Sequence, residues 1–482
     1  MNAMVMAYFT RSKAIFLRLL SATVLVGLVL SVAPAGADPQ RILLPDISRI
    51  DSRDASLDEA AREGKRIYRE LRKLLPLIDD PELTQWLRSV GNRVTQYLPD
   101  ARHPFYFSII DDGSINAFAT RGGVVAVNAG LILAVDSEDE LAAVVAHELA
   151  HVSQQHIERM QARSAGSSLM TGLGILATMI AAAYDPTIAQ ATLMSTIAFQ
   201  GQQQLAYSRQ METEADRIGL RFLTAAGYDP SAMASFLGKL ERFSEGANDD
   251  IIAWLRTHPL TRERVSNVTD LAKQLPTHQR NRNPAFLYAR EKVRALTAQN
   301  RSDYPVPSIE NRDVSRYARA WSLARKFQYD EAIKLLDGVD SMQARLALAR
   351  WRNDDRRFDE TIQSLAPLLD VYAHSEPIAM LMAEALLGAG DGEKAWQVIS
   401  AVPVTEQNSL GFYDLKARAA DAADRPVEGF RALAQKALRT GAIGSARSLL
   451  KRALRRDDLT EIEKSRLEYE IGRLDGQEST AQ

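Results

Sequence analysis

Leu141-Ala-Ala-Val-Val-Ala-His147-Glu148-Leu-Ala-His151-Val152 is the stretch from which the rest of the chain is read. Ser137, with Glu140 three residues later, forms a capping box, so a helix is predicted to start there. Leu141, Val144, Val145, Leu149 and Val152 recur at helical spacing and predict one buried face. His147 and His151 then stand one turn apart on another face. From there two imidazoles can reach one zinc ion, with Glu148 beside them as a general base. The competing reading is two core histidines and a surface glutamate; the helical context that the motif demands favours zinc.

Composition sets the frame for that helix. The 482 residues leave room for more than one domain, and 46% hydrophobic with 25% charged residues is ordinary for a globular protein. Arg11, Lys13 and Arg18 precede an uncharged apolar run from Leu19 to Ala33, and Ala35-Gly-Ala37 follows before Asp38. This pattern predicts a secretory signal peptide over residues 1–37. A transmembrane anchor fits less well, because the run is short and ends in Pro34 and small residues. Without the leader, 59 less 3 leaves 56 basic against 61 acidic residues, a net charge of −5 with no basic excess pointing to nucleic acid. There is no cysteine, which excludes disulfides, thiolate ligands for zinc and a lipid-modified cysteine at the cleavage site. An exported protein of a periplasm-like compartment is expected.

Upstream of the histidines, Leu57–Leu75 reads as an amphipathic helix with Ala60, Ala61, Ile67, Leu71 and Leu74 inward, closed by Pro76. Glu82–Leu98 reads as a second, burying Leu83, Trp86, Leu87, Val90 and Val94. Phe105–Ile110 is strand-like, and Asn116–Ala119 and Val124–Val127 flank Arg121-Gly122-Gly123 as a hairpin. A strand just before a zinc helix can accept an extended substrate by strand addition, although a plain packed hairpin fits equally well.

Between Arg163 and Arg209 the only charged residue is Asp185, and Leu169–Ala183 is almost wholly apolar. Three readings of residues 164–207 compete: buried core, a lid over the active site, or an interfacial segment making peripheral membrane contact. Catalytic zinc also needs a third protein ligand and an open position. The third histidine of a metzincin would fall at Ile157; His156 is one residue short and is predicted to face away. Glu212-Thr-Glu-Ala-Asp216 is the better source. Glu212 can ligate, Asp216 one turn on can accept the free N–H of a ligating histidine, and Glu214 is expected to point elsewhere.

His147-Glu-x-x-His151 followed by Glu212-x-x-Ala-Asp-Arg-x-Gly219 resembles the gluzincin family of CAAX prenyl proteases and HtpX. Asn116-Ala-Phe-Ala, Gly122-Gly123 and Thr257-His258-Pro259 add to the resemblance, which is strongest over residues 105–268. It implies His147, His151 and Glu212 as ligands of one zinc and Glu148 as base. It also places His258 and Arg264, in His-Pro-Leu-Thr-Arg-Glu-Arg264, near the metal as candidates for stabilising the oxyanion. In such enzymes that histidine either steadies the tetrahedral intermediate or blocks the metal as an extra ligand at rest. From the residues alone, His258 before Pro259 is only a turn histidine. The export signal and helical tail narrow the resemblance to members that act on outer-membrane proteins. Misassembled outer-membrane proteins are then the implied substrates, and the outer-membrane assembly machinery the implied partner of the tail.

Arg280–Pro284 and Arg301–Ser308 bracket a helix from Ala285 to Thr297, which puts a peptidase domain at 38–300 and a repeat domain at 310–482. Tyr329-Asp-Glu-Ala-Ile, Phe358-Asp-Glu-Thr-Ile and Gly392-Glu-Lys-Ala-Trp echo one helix start, with Ala332, Thr361, Ala395 and Gly429 at its small position. Their intervals of 29, 34 and 34 residues point to degenerate tetratricopeptide-like repeats, a generic helical bundle being the alternative. The expected architecture is α+β and mostly helical: a zinc metallopeptidase domain with a small β-sheet, followed by an all-α tetratricopeptide-like solenoid. Two rival functions remain. One is a chaperone or adaptor whose zinc is structural, closed by His258 as fourth ligand; the other is a protease anchored to a membrane through residues 164–207.

Overall fold

The computed structural model describes residues 48–99, 103–156, 159, 201–245, 252–277, 284–298 and 306–479. The predicted signal peptide and the apolar Leu169–Ala183 run lie outside the described residues. Among the described residues no helix is long and apolar enough to cross a membrane. The described residues from 53 onward form one compact unit.

Helix α1 (Ser48–Leu74) buries Ala60, Ile67 and Leu71 as its periodicity predicts. Leu74 departs from the expectation: it is exposed, and Leu75 turns inward instead. Leu75 stands one turn after Leu71, to whose carbonyl oxygen its N–H donates at 3.0 Å, so helical phase itself carries it to the buried face. Helix α2 (Pro81–Thr95) starts on Asp80, whose carboxylate accepts from Leu83 N at 3.0 Å, and buries Leu83, Leu87, Val90 and Val94.

Three strands follow, β1 (Tyr106–Ile110), β2 (Ala117–Ala119) and β3 (Val124–Asn128), in the order β1-β3-β2. β2 and β3 form the predicted antiparallel hairpin, while β1 pairs parallel to β3. Gly123 takes the turn with φ of 78°, a left-handed conformation open to glycine. A Cβ on Gly64 would lie 1.8 Å from the Gly122 carbonyl oxygen, so this glycine pair lets α1 rest directly on the hairpin turn. The outer edge of β1 is closed in two ways. Ile78 N donates to Ile109 O at 2.9 Å, and the Gln407 side chain mimics a strand, accepting from Phe107 N and donating to Phe105 O, both at 3.0 Å. β2 forms the other edge and packs against the histidine helix.

That helix, α4 (Glu138–Ser153), follows the short α3 (Ala129–Ala134). Ser137 Oγ accepts from Glu140 N at 3.2 Å, the first half of the predicted capping box. The second half is different. The Glu140 carboxylate accepts from Asp136 N at 2.8 Å and holds Lys239 Nζ and Ser235 Oγ, each at 2.7 Å. A buried carboxylate needs such a cation more than it needs the helix's own amide. α4 is also buried on every side from Glu138 to Ala150, rather than along one stripe. Helix α5 (Gly201–Ala225) runs against it, and Gly219 meets it where a Cβ would stand 3.2 Å from the Ala146 carbonyl and the His147 backbone. Helices α6 (Ser231–Glu245), α7 (Ile252–Thr257) and α8 (Arg262–Lys273) complete this part.

Helix α9 (Ala285–Thr297) sits where the sequence predicts it but belongs to two cores. Phe286, Ala289 and Val293 join the core around α4, whereas Tyr288 and Ala295 join the first core of the tail. The tail is all-helical. It runs through α10 (Arg312–Ala324), α11 (Tyr329–Leu336), α12 (Met342–Asp354), α13 (Phe358–Val371), α14 (Glu376–Gly388), α15 (Gly392–Ser400), α16 (Leu410–Ala422), α17 (Pro426–Arg439), α18 (Ile443–Leu454) and α19 (Glu461–Ser479). Phe327, Arg356, Gly390 and Asp424 adopt positive φ, each two residues before α11, α13, α15 or α17, so one left-handed turn recurs through the stack. Ala332, Thr361, Ala395 and Gly429 are all buried, which admits the neighbouring helix closely. The loop between α15 and α16 fastens the tail to α1 and β1. Glu406 receives Lys65 at 2.7 Å, Arg69 at 3.1 Å and Arg439 at 3.3 Å, and Arg72 donates to Asn408 O at 2.9 Å.

Candidate metal centre

His147 and His151 project from one turn of α4, Glu212 from α5, and His258 from the residue after α7. Their ligand atoms all lie within 4.8 Å of one another. His147 Nε2 is 3.0 Å from His151 Nε2, 3.4 Å from His258 Nδ1 and 3.4 Å from a Glu212 oxygen. His151 Nε2 is 3.4 Å from Glu212, and His258 Nδ1 is 3.2 Å from it. Four ligands placed tetrahedrally at zinc–nitrogen or zinc–oxygen bonds of 2.0–2.2 Å would stand roughly 3.3–3.6 Å apart. The 3.4 Å spacings fall in that range and those of 3.0 and 3.2 Å a little below it, and the donor set of imidazoles and one carboxylate suits zinc. The residues fit the metal.

A second ring of side chains sets the charge of the first. His147 Nδ1 is 3.0 Å from Asp216 Oδ1, close enough to pair but not aligned as a straight hydrogen bond. Arg264 forks onto Asp216, with Nε at 2.6 Å and Nη2 at 2.9 Å, and its Nη1 reaches Glu212 at 2.8 Å. Burial alone would lower the His147 imidazole, but Asp216 and Glu212 outweigh it and push it up to about 9. His151 goes the other way, well down, through burial and then through the neighbouring His147 and His258. Glu212 is held well below the carboxylate range despite burial, by His258 and His147. Asp216 is likewise lowered against its burial, by Arg264 and His147. Glu148 shifts upward, because burial exceeds the attraction of His258 and His147. A carboxylate of raised basicity stands 3.3 Å from His258 Nε2, at the rim of the cluster.

His147, His151 and Glu212 are thus brought together as read from the sequence, and Asp216 lies behind His147. His258 is part of the cluster rather than a turn residue alone. Arg264 lies close, 3.4 Å from His147 Nε2, but its guanidinium is engaged by Asp216, Glu212 and Pro259 O. That arrangement positions carboxylates and lends no support to an oxyanion role.

Two residues escaped the sequence reading. Trp254 stacks on His258 with ring centroids 4.7 Å apart and 26° between planes; its place one turn before His258 was a legible signal. His156 was predicted to face away, yet its Nδ1 is 2.8 Å from His151 Nδ1. Helical arithmetic fails there because α4 ends at Ser153 and Gln155 is left-handed, with φ of 52°. Glu214 does point away from the four ligands, and what it meets is His156 Nε2 at 3.2 Å and Arg159 Nη1 at 2.9 Å.

Residues 81–272 match peptidase family M48. Over 463 residues the chain is 29% identical to the beta-barrel assembly-enhancing protease of Escherichia coli strain K12, covering 92% of this chain and 93% of the relative. The protein of that name from Yersinia pestis is 29% identical over 470 residues, covering 95% and 96%. A mitochondrial metalloendopeptidase of Schizosaccharomyces pombe is 27% identical over 250 residues, covering 51% of this chain and 69% of the relative.

Proposed function

We propose that this zinc metalloendopeptidase, whose residues 81–272 are a peptidase family M48 domain, degrades misassembled outer-membrane proteins and assists their assembly through its helical tail. In this reading residues 1–37 direct export to the periplasm, and the tail from residue 310 is a tetratricopeptide-like array that meets the outer-membrane assembly machinery. The names of the relatives support the substrate class, and the recurring left-handed turns support the repeats.

The convergence of His147, His151, Glu212 and His258 beside Glu148 carries the proposal. His147 and His151 offer Nε2, and Glu212 offers a carboxylate oxygen. Asp216 orients His147 from behind, while Arg264 keeps Asp216 ionised and holds Glu212 in place. Zinc, when bound, polarises the peptide carbonyl and lowers the pKa of its water. Glu148, made more basic by burial, takes the water's proton and passes it to the leaving amine. His258, with Nδ1 3.2 Å from Glu212 and 3.4 Å from His147 Nε2, would help hold zinc at rest, and its movement away would open the site to substrate.

Closure by a fourth histidine also suits a chaperone with structural zinc. That reading gives no task to a carboxylate buried at the rim of the cluster, which is why catalysis is preferred. The test is digestion of an unfolded outer-membrane β-barrel protein and of casein by the purified protein, zinc-loaded and after chelation. Cleavage that zinc restores supports the proposal. Tight zinc binding without cleavage of either substrate overturns it.

A further inference from the structure

Each histidine of the His147/His151 pair must present a bare Nε2 to a metal, so each must carry its proton on Nδ1. For His147 the partner of that proton is a carboxylate, Asp216, at 3.0 Å. For His151 it is another imidazole. His151 Nδ1 and His156 Nδ1 stand 2.8 Å apart, and two ring nitrogens at that distance share one proton, one donating and one accepting. If His151 donates, His156 accepts on Nδ1 and carries its own proton on Nε2. That nitrogen faces Glu214 at 3.2 Å, a carboxylate that only accepts. Arg159, 2.9 Å from the same oxygen, keeps Glu214 ionised. The order Glu214, His156, His151 therefore has one consistent assignment of protons, and it leaves His151 Nε2 free.

From this geometry we infer that His156 and Glu214 are positioning residues of the metal site: they hold His151 in the ring orientation and tautomer that binds zinc. The inference rests on His151 being a zinc ligand. The fold builds the contact on purpose-fitted backbone. α4 stops at Ser153, and the left-handed Gln155 folds the chain back so that His156 lies buried against the ring it supports. Glu214 reaches it from α5, one helical face away from Glu212, so α5 supplies both a ligand for the metal and the anchor of the second relay.

The reading separates replacements by what they offer His151 Nδ1–H. His156→Phe keeps the ring and removes the acceptor. His156→Asn offers a carbonyl oxygen near the position of Nδ1. Glu214→Ala, at a half-exposed site where folding is spared, frees His156 to adopt the wrong tautomer. Zinc affinity of metal-free protein is measured by competition with a chromophoric chelator, alongside the visible spectrum of the cobalt-substituted form and a thermal melt. His156→Phe is expected to weaken zinc about 10- to 100-fold with an altered cobalt spectrum, as is usual for the outer partner of a ligating histidine. Glu214→Ala should lose several-fold, and His156→Asn should recover most of the affinity. Equal affinity in wild type and Glu214→Ala overturns the inference, as does equal loss in His156→Phe and His156→Asn. His151→Ala is the reference: if it binds zinc as the wild type does, the ligand assignment itself fails, not the relay built on it.

Discussion

Replacing Arg264 by alanine isolates the electrostatics that hold the site together. The guanidinium is almost wholly buried, and so are its partners Asp216 and Glu212, at 2.6, 2.9 and 2.8 Å. Removing it leaves two buried carboxylates with only the histidines for compensation. Breaking a buried ion pair from one side costs about 3–5 kcal/mol. In a domain of 150–250 residues each kcal/mol moves Tm by roughly 2–4 °C, so the metal-free variant should melt about 6–20 °C lower at pH 7. The pH dependence gives a second handle. Asp216 and Glu212 are both lowered in the folded protein, so their stabilisation is full above the ordinary carboxylate range and is lost progressively as pH falls from that range toward the lower folded-state values. Without Arg264 the carboxylates accept protons more readily, and the penalty should shrink by pH 4. Arg264→Lys, a point charge without the fork, should recover only part. Circular-dichroism melts of metal-free protein at pH 7 and pH 4 test this. A shift that is negligible, or identical at both pH values, would refute the reasoning.

Other outcomes follow from the same geometry. Glu212→Ala should weaken zinc more than Glu214→Ala, because the first removes a ligand and the second only an outer support; chelator competition on both variants checks the order. His258→Ala should raise proteolysis, self-cleavage included, if the ring closes the fourth position at rest. A fall of about 100- to 1,000-fold against the same unfolded substrate would assign it to the oxyanion instead. Glu406→Ala should loosen the tail from α1 by roughly 1 kcal/mol, the three cations around it being partly screened by water. Burial raises the Glu406 carboxyl, but Arg439, Lys65 and Arg69 lower it further, so this contribution should vanish as pH falls below the carboxylate range. Faster nicking between the two parts than in wild type by trypsin at pH 7, and no difference from wild type with pepsin at about pH 2, is the readout.

The site was largely legible because its chemistry obeys local spacing. His147 and His151 are one turn apart, and so are Glu212 and Asp216, so each pair reports its face without tertiary knowledge. His156 was not legible, because its position depends on where α4 stops and on one left-handed residue, and neither leaves a periodic trace. Glu140 followed the capping motif only halfway, since Lys239, distant in sequence, competes for the same carboxylate. The parallel pairing of β1 with β3 was equally hidden: alternation reveals a strand but not its neighbour. In the tail, helix starts and small positions were readable. The attachment through Glu406 and Gln407 was not, because loop residues acquire their partners only when both parts are folded.

The central claim is that Glu148 performs proton transfer at a zinc site held by His147, His151 and Glu212. Glu148→Gln tests it most directly, because the amide cannot accept the water's proton while every ligand stays in place. Zinc content by atomic absorption and casein proteolysis should be measured on the same preparation. The account predicts one zinc per chain, as in wild type, and loss of turnover. Undiminished proteolysis by zinc-loaded Glu148→Gln would contradict it.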